Sequence, residues 1–149
     1  MKALWLALHF ISAGAWLGCV LTEVLFERAL LAHGAAEKHI LAQLHRRVDL
    51  AVELPVFTVL LGSGLALLPP AGLAPWLAAK IGLGALAVAA NLVCVGLVLR
   101  RAQAARHGDW PLFERLDQAQ HRWGTLVLLG IVAAMALGVA LWSGGVQAG

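Results

Sequence analysis

Apolar residues run along this chain in four long stretches, and shorter segments between them carry most of the charge. Each stretch is close to the ~20 residues that a helix needs to cross a hydrocarbon core about 30 Å thick. The predicted spans are about 3–25, 48–68, 73–99 and 123–142. The pattern therefore predicts an all-α integral membrane protein, built as a four-helix antiparallel bundle in a single domain.

Prolines are expected at helix ends, and glycines within the spans at close helix contacts. The prolines at 69–70 are expected to stop the second helix, since proline cannot continue a helical hydrogen-bond ladder, and Pro111 is placed at a helix start. Closely spaced glycines in the second and third spans predict that helix backbones approach each other there. These glycines are Gly62, Gly64, Gly82 and Gly84.

Composition supports a membrane protein and excludes several functions. Hydrophobic residues make up 61% of the 149 residues and charged residues 13%, with a mean hydropathy of +0.84, whereas soluble domains average roughly 45–50% and about 25%. Too little chain lies outside the spans for a soluble catalytic or nucleotide-binding domain. We expect no signal-peptide cleavage, because the first apolar stretch continues past the small residues at 13–15.

Basic residues indicate the orientation. Most of the 11 lysines and arginines lie in segments 28–47 and 100–122, and none lies in 69–75 or after Trp142. Because basic residues are retained on the cytoplasmic side, both long loops are predicted inside and both termini on the periplasmic side of a bacterial cytoplasmic (inner) membrane. Because the basic residues flank the membrane spans, the net charge of +3 is explained by topology in a lipid bilayer, and no nucleic-acid partner is expected.

Two ionisable residues lie within the spans near the predicted outer face. His9 and Lys80 are each roughly 9–10 Å below that face by helical rise, so they can belong to one site. Ionisable groups at such depth cost at least ~2.5–3.5 kcal/mol each, which makes them functional candidates. No acidic residue shares their depth. Lys80 is therefore expected to pair with a bound anion, such as a porphyrin propionate, unless it snorkels to the interface.

A second polar group is predicted nearer the inner face. It comprises Glu23 and Glu27 on the first helix, His45, Asp49 and Glu53 on the second, and Asp117 and His121 at the entry to the fourth. Spacing by four residues places the members from each helix on one face of that helix. We expect His9, Glu23, Glu53 and Lys80 to face the bundle interior.

Two kinds of cofactor suit these residues, and the sequence leaves both open. Imidazoles from different helices hold haem in membrane bundles. His45 and His121 enter from the same side at similar depth, so they are candidates to bind one iron from both faces, and His9 is a candidate ligand for a second porphyrin near the outer face. Alternatively, a bare iron, manganese or zinc ion binds the inner imidazoles and carboxylates. The candidate metal ligands are His9, His45, His121, Glu23, Asp49 and Glu53. Copper is disfavoured because Met and Cys, its preferred ligands, are few and scattered.

Several motifs resemble one family of membrane proteins. Leu8-His9-Phe10-Ile11 and Ala15-Trp16-Leu17-Gly18 resemble the first helix of the HemJ-type protoporphyrinogen oxidases and of related CopD-like and uncharacterised four-helix membrane proteins. Arg46-Arg47, Pro55, Gly62-Ser63-Gly64-Leu65 and Trp76-Leu77-Ala78-Ala79-Lys80 resemble that group's order of features in helices two and three. The resemblance covers about residues 5–85.

The resemblance implies a function as well as a fold. A HemJ-like oxidoreductase would hold haem b with His9, use Lys80 as the essential partner residue, and pass electrons from a porphyrinogen to a quinone or a respiratory partner. The CopD-like relatives imply an alternative in which the protein binds or transports a metal ion in the membrane. A third alternative is an accessory subunit without chemistry of its own, in a homo-oligomer or a respiratory complex.

Overall fold

The computed structural model describes residues 1–31, 34–70 and 72–143. Within these residues it contains four long helices and no strand. The helices are α1 Lys2–Leu30, α2 Ala35–Ala66, α3 Pro75–His107 and α4 Trp110–Ser143. All four are long and apolar enough to cross a membrane. The predicted all-α class and the number of helices are confirmed.

The helices are longer than the predicted spans. α2 begins at Ala35, α3 continues to His107, and α4 begins at Trp110. The 33 residues of α3 correspond to about 50 Å, well beyond the ~30 Å of a hydrocarbon core. The apolar pattern marks only the part of a helix that contacts lipid. Polar segments predicted as loops are therefore extensions of the same helices.

α2 is one helix with a wide turn in its middle. Residues Asp49–Glu53 form a π-helical turn between α-helical segments at Ala35–Val48 and Leu54–Ala66. Pro55 is the second residue after this turn, and a proline in a regular helix removes one backbone hydrogen bond and crowds the preceding turn. The wider turn accommodates that disruption without ending the helix. Asp49 and Glu53 are both buried in it.

The turn between α3 and α4 places Pro111 at a helix start, as predicted, and both helix ends are capped. Gly108 ends α3 with a φ of 70°, a left-handed conformation that favours glycine. Asp109 Oδ1 accepts a hydrogen bond of 3.1 Å from the backbone N–H of Leu112 and so caps the start of α4. Pro111 lies in the first turn of α4, as predicted.

Close packing of α3 on α4 involves a glycine that the sequence analysis did not single out. A Cβ added at Gly130 would lie 2.8 Å from the Cβ of Ala87. Of the four glycines predicted to permit close approach, only Gly64 has a neighbour within 4 Å, the ring of His9. Among the described residues, nothing lies within 4 Å of the side-chain position of the other three, so the close approach predicted for them is not found in this part of the chain. They are Gly62, Gly82 and Gly84.

Two apolar clusters form the core of the described residues. The first contains Trp16, Val20, Ala87, Ala90, Cys94, Val127 and Ile131. The second contains Ala42, Ala102, Ala104, Ala105, Phe113 and Leu116. Along α3 the first cluster ends at Cys94 and the second begins at Ala102. The fully buried Arg101 stands at this junction, so the polar site lies inside the bundle with apolar packing on both sides.

Candidate functional site

His9 on α1 is held by the backbone and a side chain of α2. Its Nδ1 atom lies 3.1 Å from the carbonyl oxygen of Leu60 and 3.2 Å from Ser63 Oγ. The Ser63 hydroxyl itself donates to Leu60 O at 3.0 Å, so both oxygens act as acceptors and Nδ1 carries the hydrogen. The lone pair of the neutral ring is then on Nε2. Metal-ligating histidines commonly have this tautomer, with the other ring nitrogen donating to a carbonyl.

Lys80 on α3 belongs to the same outer site. Its ammonium lies within electrostatic range of His9, and its stem passes Gly138 of α4, where an added Cβ would be 2.9 Å from Lys80 Cε. Among the described residues, no carboxylate forms an ion pair with Lys80. The structure therefore brings the two predicted outer residues together and leaves the cation without a protein anion in the described part of the chain.

Three carboxylates meet deeper in the bundle, and we call them the triad: Glu23 of α1 with Asp49 and Glu53 of α2. One oxygen of each lies within 4.8 Å of the other two, and Asp49 and Glu53 are each 2% exposed. Two like charges 4 Å apart repel by about 4 kcal/mol at an effective dielectric constant of about 20. Within residues 1–31, 34–70 and 72–143, no basic side chain forms an ion pair with the triad. Protons or a bound cation are therefore needed to stabilise it.

Glu53 is the best anchored member of the triad. The indole Nε1 of Trp16 donates a 2.9 Å hydrogen bond to Glu53 Oε1, and the side chain of Asn91 on α3 interacts with the same carboxylate. Glu23 Oε1, in contrast, has no hydrogen-bond partner in the described structure. Glu53 is thus held by a donor from α1, while Glu23 retains an open oxygen.

A buried arginine organises the polar layer beside the triad. Arg101 of α3 is 0% exposed and donates to Glu27 Oε1 at 3.3 Å, to Asp117 Oδ1 and to His45 Nδ1. Its guanidinium carbon lies 5.6 Å from the ring centroid of Phe113. A planar fork of N–H donors suits several acceptors from different helices at once. Arg101 therefore joins α1, α2 and α4 through one side chain.

The hydrogen bonds of His45 do not suit the predicted role of iron ligand. Its Nδ1 faces two donors, the guanidinium of Arg101 and the amide Nε2 of Gln120 at 3.4 Å. A guanidinium has no acceptor, so Nδ1 supplies the lone pair and Nε2 carries the hydrogen. Nε2 points towards the backbone of Glu23 but has no partner at regular hydrogen-bond geometry among the described residues. With the Nδ1 lone pair committed to Arg101, the neutral ring has no lone pair left for a metal.

His121 is more exposed than His45, and Glu27 lies between them. The His121 side chain is 50% exposed; its Nε2 is 3.2 Å from Glu27 Oε2 and its Nδ1 is 3.0 Å from the backbone oxygen of Asp117. The other oxygen of Glu27 lies 3.7 Å from His45 Nδ1. The carboxylate of Glu27 thus occupies the space between the two imidazoles, where one iron bound by both was predicted.

A cavity of about 490 Å³ connects these groups. All three triad residues line it, and so do Glu27 and His121. Its polar and sulfur-bearing wall is completed by Arg28, Asn91, Cys94, Gln120 and Thr125. The volume is within the range of ligand pockets, about 300–1,000 Å³, so the inner polar layer surrounds a usable space.

Sequence reasoning missed the two polar residues that connect the layer, Arg101 and Gln120. The predicted third span ends near residue 99, which places Arg101 in the following loop. Once α3 continues to His107, Arg101 falls three residues after the buried Val98, on the same helical face. Gln120 follows Asp117 by three residues, which gives the equivalent signal on α4.

Comparisons with models of protein families, with curated proteins and with solved structures find no match to this chain. The resemblance to HemJ-type and CopD-like proteins therefore rests on the sequence motifs around His9 and Lys80. The proposed function is based on the geometry of the outer and inner polar layers.

Proposed function

We propose that this protein is a haem b-binding membrane redox protein of the HemJ-like type, with His9 as the iron ligand. The supporting observation is the hydrogen bonding of His9, whose Nδ1–H is held by Leu60 O and Ser63 Oγ. This orients the ring and leaves the Nε2 lone pair for iron. His45 has no such lone pair and His121 is engaged at both nitrogens, so His9 fits the ligand role best.

Lys80 has a distinct part in this proposal. A haem carries propionates, and the Lys80 ammonium lacks a carboxylate partner among the described residues while lying within electrostatic range of His9. An ion pair with a propionate would offset the cost of keeping this charge within the membrane. When bound, haem supplies a one-electron redox centre whose potential depends on its ligand and surroundings.

The proposed role is to transfer electrons from a porphyrinogen, or another reduced donor, to a quinone or a respiratory partner. Nearly all of the described chain lies in helices long and apolar enough to cross a membrane, so lipid-soluble reactants or a membrane partner fit best. The setting we propose is the bacterial inner membrane, with both termini periplasmic. The chain acts either alone or as a subunit, and copurification of a respiratory complex distinguishes the two.

Absorption spectroscopy of the purified protein tests the proposal. We expect a Soret band and a reduced-minus-oxidised α band, both strongly diminished by His9→Ala. The matched control is His107→Ala, because His107 is exposed at the end of α3 and, within the described residues, its hydrogen bond is to Gln103 O of its own helix. Protein that contains metal by elemental analysis but shows no haem absorbance contradicts the haem proposal.

A further inference from the structure

We propose that the inner cavity is a second, independent site, which binds a hard divalent cation of the Mn²⁺ or Mg²⁺ class on the triad. The ligands are carboxylate oxygens of Glu23, Asp49 and Glu53, and the amide oxygen of Gln120 is available from the same cavity wall. This site lies apart from His9 and Lys80, neither of which lines the cavity. It therefore does not require haem at the outer site.

Charge gives the first argument. The triad brings together three acidic oxygens within 4.8 Å, whereas the neighbouring acids Glu27 and Asp117 are already paired with Arg101. The buried Arg101 thus pairs with Glu27 and Asp117 and forms no ion pair with the triad. A divalent ion would convert the mutual repulsion of three carboxylates into attraction to one centre.

Gln120 gives the second, independent argument. Gln120 is only 7% exposed and lines the cavity, and its Oε1 has no hydrogen-bond partner within the described residues. The amide Nε2 faces Glu27 and His45, so the oxygen is the free end of the side chain. Buried acceptors without a donor are rare. A cation in the cavity satisfies this oxygen and the open Oε1 of Glu23 together.

The ligand chemistry selects the class of metal. All members of the triad offer oxygen, and Gln120 adds an amide oxygen. Cys94 lines the cavity, but its sulfur is not within 4.8 Å of all members of the triad. Carboxylate and carbonyl oxygens suit Mg²⁺, Ca²⁺ and Mn²⁺, whereas sulfur and imidazole favour copper and zinc. Oxygen ligands without sulfur therefore point to a hard cation.

Titration of the purified full-length protein with Mn²⁺ tests this inference. We expect saturable binding, followed by electron paramagnetic resonance of free Mn²⁺ and by calorimetry, and displacement by Mg²⁺. Because even outer-shell changes around a metal cost about 10–100-fold in affinity, Asp49→Asn and Glu23→Gln should each weaken binding at least about tenfold. The matched control is Glu114→Gln, since Glu114 is 61% exposed and pairs only with Lys38.

Thermal unfolding keeps the test decisive if a variant folds poorly. Mn²⁺ should raise the melting temperature of the wild type and of Glu114→Gln, and Asp49→Asn and Glu23→Gln should each lose most of that increase. The absence of saturable Mn²⁺ or Mg²⁺ binding by folded wild-type protein overturns the proposal. So does unchanged affinity in both triad variants. Stabilisation by Asp49→Asn without any metal response would show that the triad holds only protons, which is equally a refutation.

Discussion

Trp16 and Glu53 are joined by a buried hydrogen bond of 2.9 Å, from the indole Nε1 to the carboxylate Oε1. The bond connects α1 to the π-helical turn of α2, where two triad residues lie. An indole N–H can only donate a hydrogen bond and a carboxylate accepts one. The bond is therefore lost if Trp16 is replaced by a residue without a donor. Trp16 therefore fixes the orientation of a membrane-embedded acid and is not simply apolar filling.

Trp16→Phe removes this donor while keeping an aromatic ring in the core. The buried oxygen of Glu53 loses its partner, so we expect a destabilisation of about 1–3 kcal/mol, measured by unfolding in mixed detergent micelles. Trp123→Phe is the control, because Trp123 is 39% exposed and should cost much less. Equal losses in the two variants would contradict a specific role for the bond.

Arg101→Met tests the arginine that joins the helices. The substitution leaves Glu27 and Asp117 without their buried cation, and removing one partner of a buried ion pair costs about 3–5 kcal/mol. Unfolding measurements should show a loss of this size. Arg100→Met, on the exposed neighbour, should have little effect.

Arg101→Lys separates charge from geometry at the same position. Lysine keeps the positive charge but has a single ammonium in place of a planar fork, so it cannot maintain all the bonds to Glu27, Asp117 and His45. We expect a stability between those of the wild type and Arg101→Met. A variant as stable as the wild type would show that charge alone matters here.

Much of the fold follows from the sequence because lipid imposes one dominant requirement, about twenty apolar residues for each helix. The inner site was partly predictable for a related reason. Spacing by four residues put His45, Asp49 and Glu53 on one face of α2, and all three are buried.

The rest depends on contacts that spacing within one helix does not encode. Arg101 and Gln120 lie where α3 and α4 extend beyond the predicted spans, and the sequence analysis singled out neither. Arg101, on another helix, donates to Nδ1 of His45 and so determines that the ring hydrogen is on Nε2. This contact between helices removes the lone pair that a metal would need. The close contact at Gly130 likewise exists only after α3 and α4 pack together.

Gly130→Ala probes that packing. The new Cβ would lie 2.8 Å from the Cβ of Ala87, so the helices must shift apart, at a cost of about 1–3 kcal/mol for overpacking. Gly96→Ala is the matched control, since nothing lies within 4 Å of the added Cβ and alanine is the better helix former by about 1 kcal/mol. A thermal unfolding series should therefore show changes of opposite sign.

Reporter fusions test the proposed orientation. A reporter that is active only in the periplasm should be active when fused after Gly149, and the same reporter inserted between Gly108 and Asp109 should be inactive. The reason is the concentration of basic residues at the α3–α4 end of the bundle, which is retained in the cytoplasm. The opposite pattern would invert the topology and move the His9 site to the cytoplasmic side.

Lys80→Met and Lys80→Arg test the outer site as a pair. Met is one heavy atom shorter than Lys and keeps a similar unbranched, apolar stem but removes the charge, so a propionate would lose its partner. A hydrogen bond involving a charged group contributes about 1.5–3 kcal/mol, which corresponds to a loss of roughly tenfold or more in haem affinity. Arg keeps the charge and should retain part of the binding. Both are measured as haem occupancy from the absorption spectrum.

The controls for Lys80 separate a binding role from an interfacial one. Lys38→Met removes an exposed ion pair with Glu114 and should leave occupancy unchanged, while normal membrane insertion of Lys80→Met excludes a folding defect. A snorkelling lysine requires only that its ammonium reach water, so its removal would not alter the spectrum. If Lys80→Met binds haem as the wild type does, the outer site depends on His9 alone and the ion pair with a propionate is refuted.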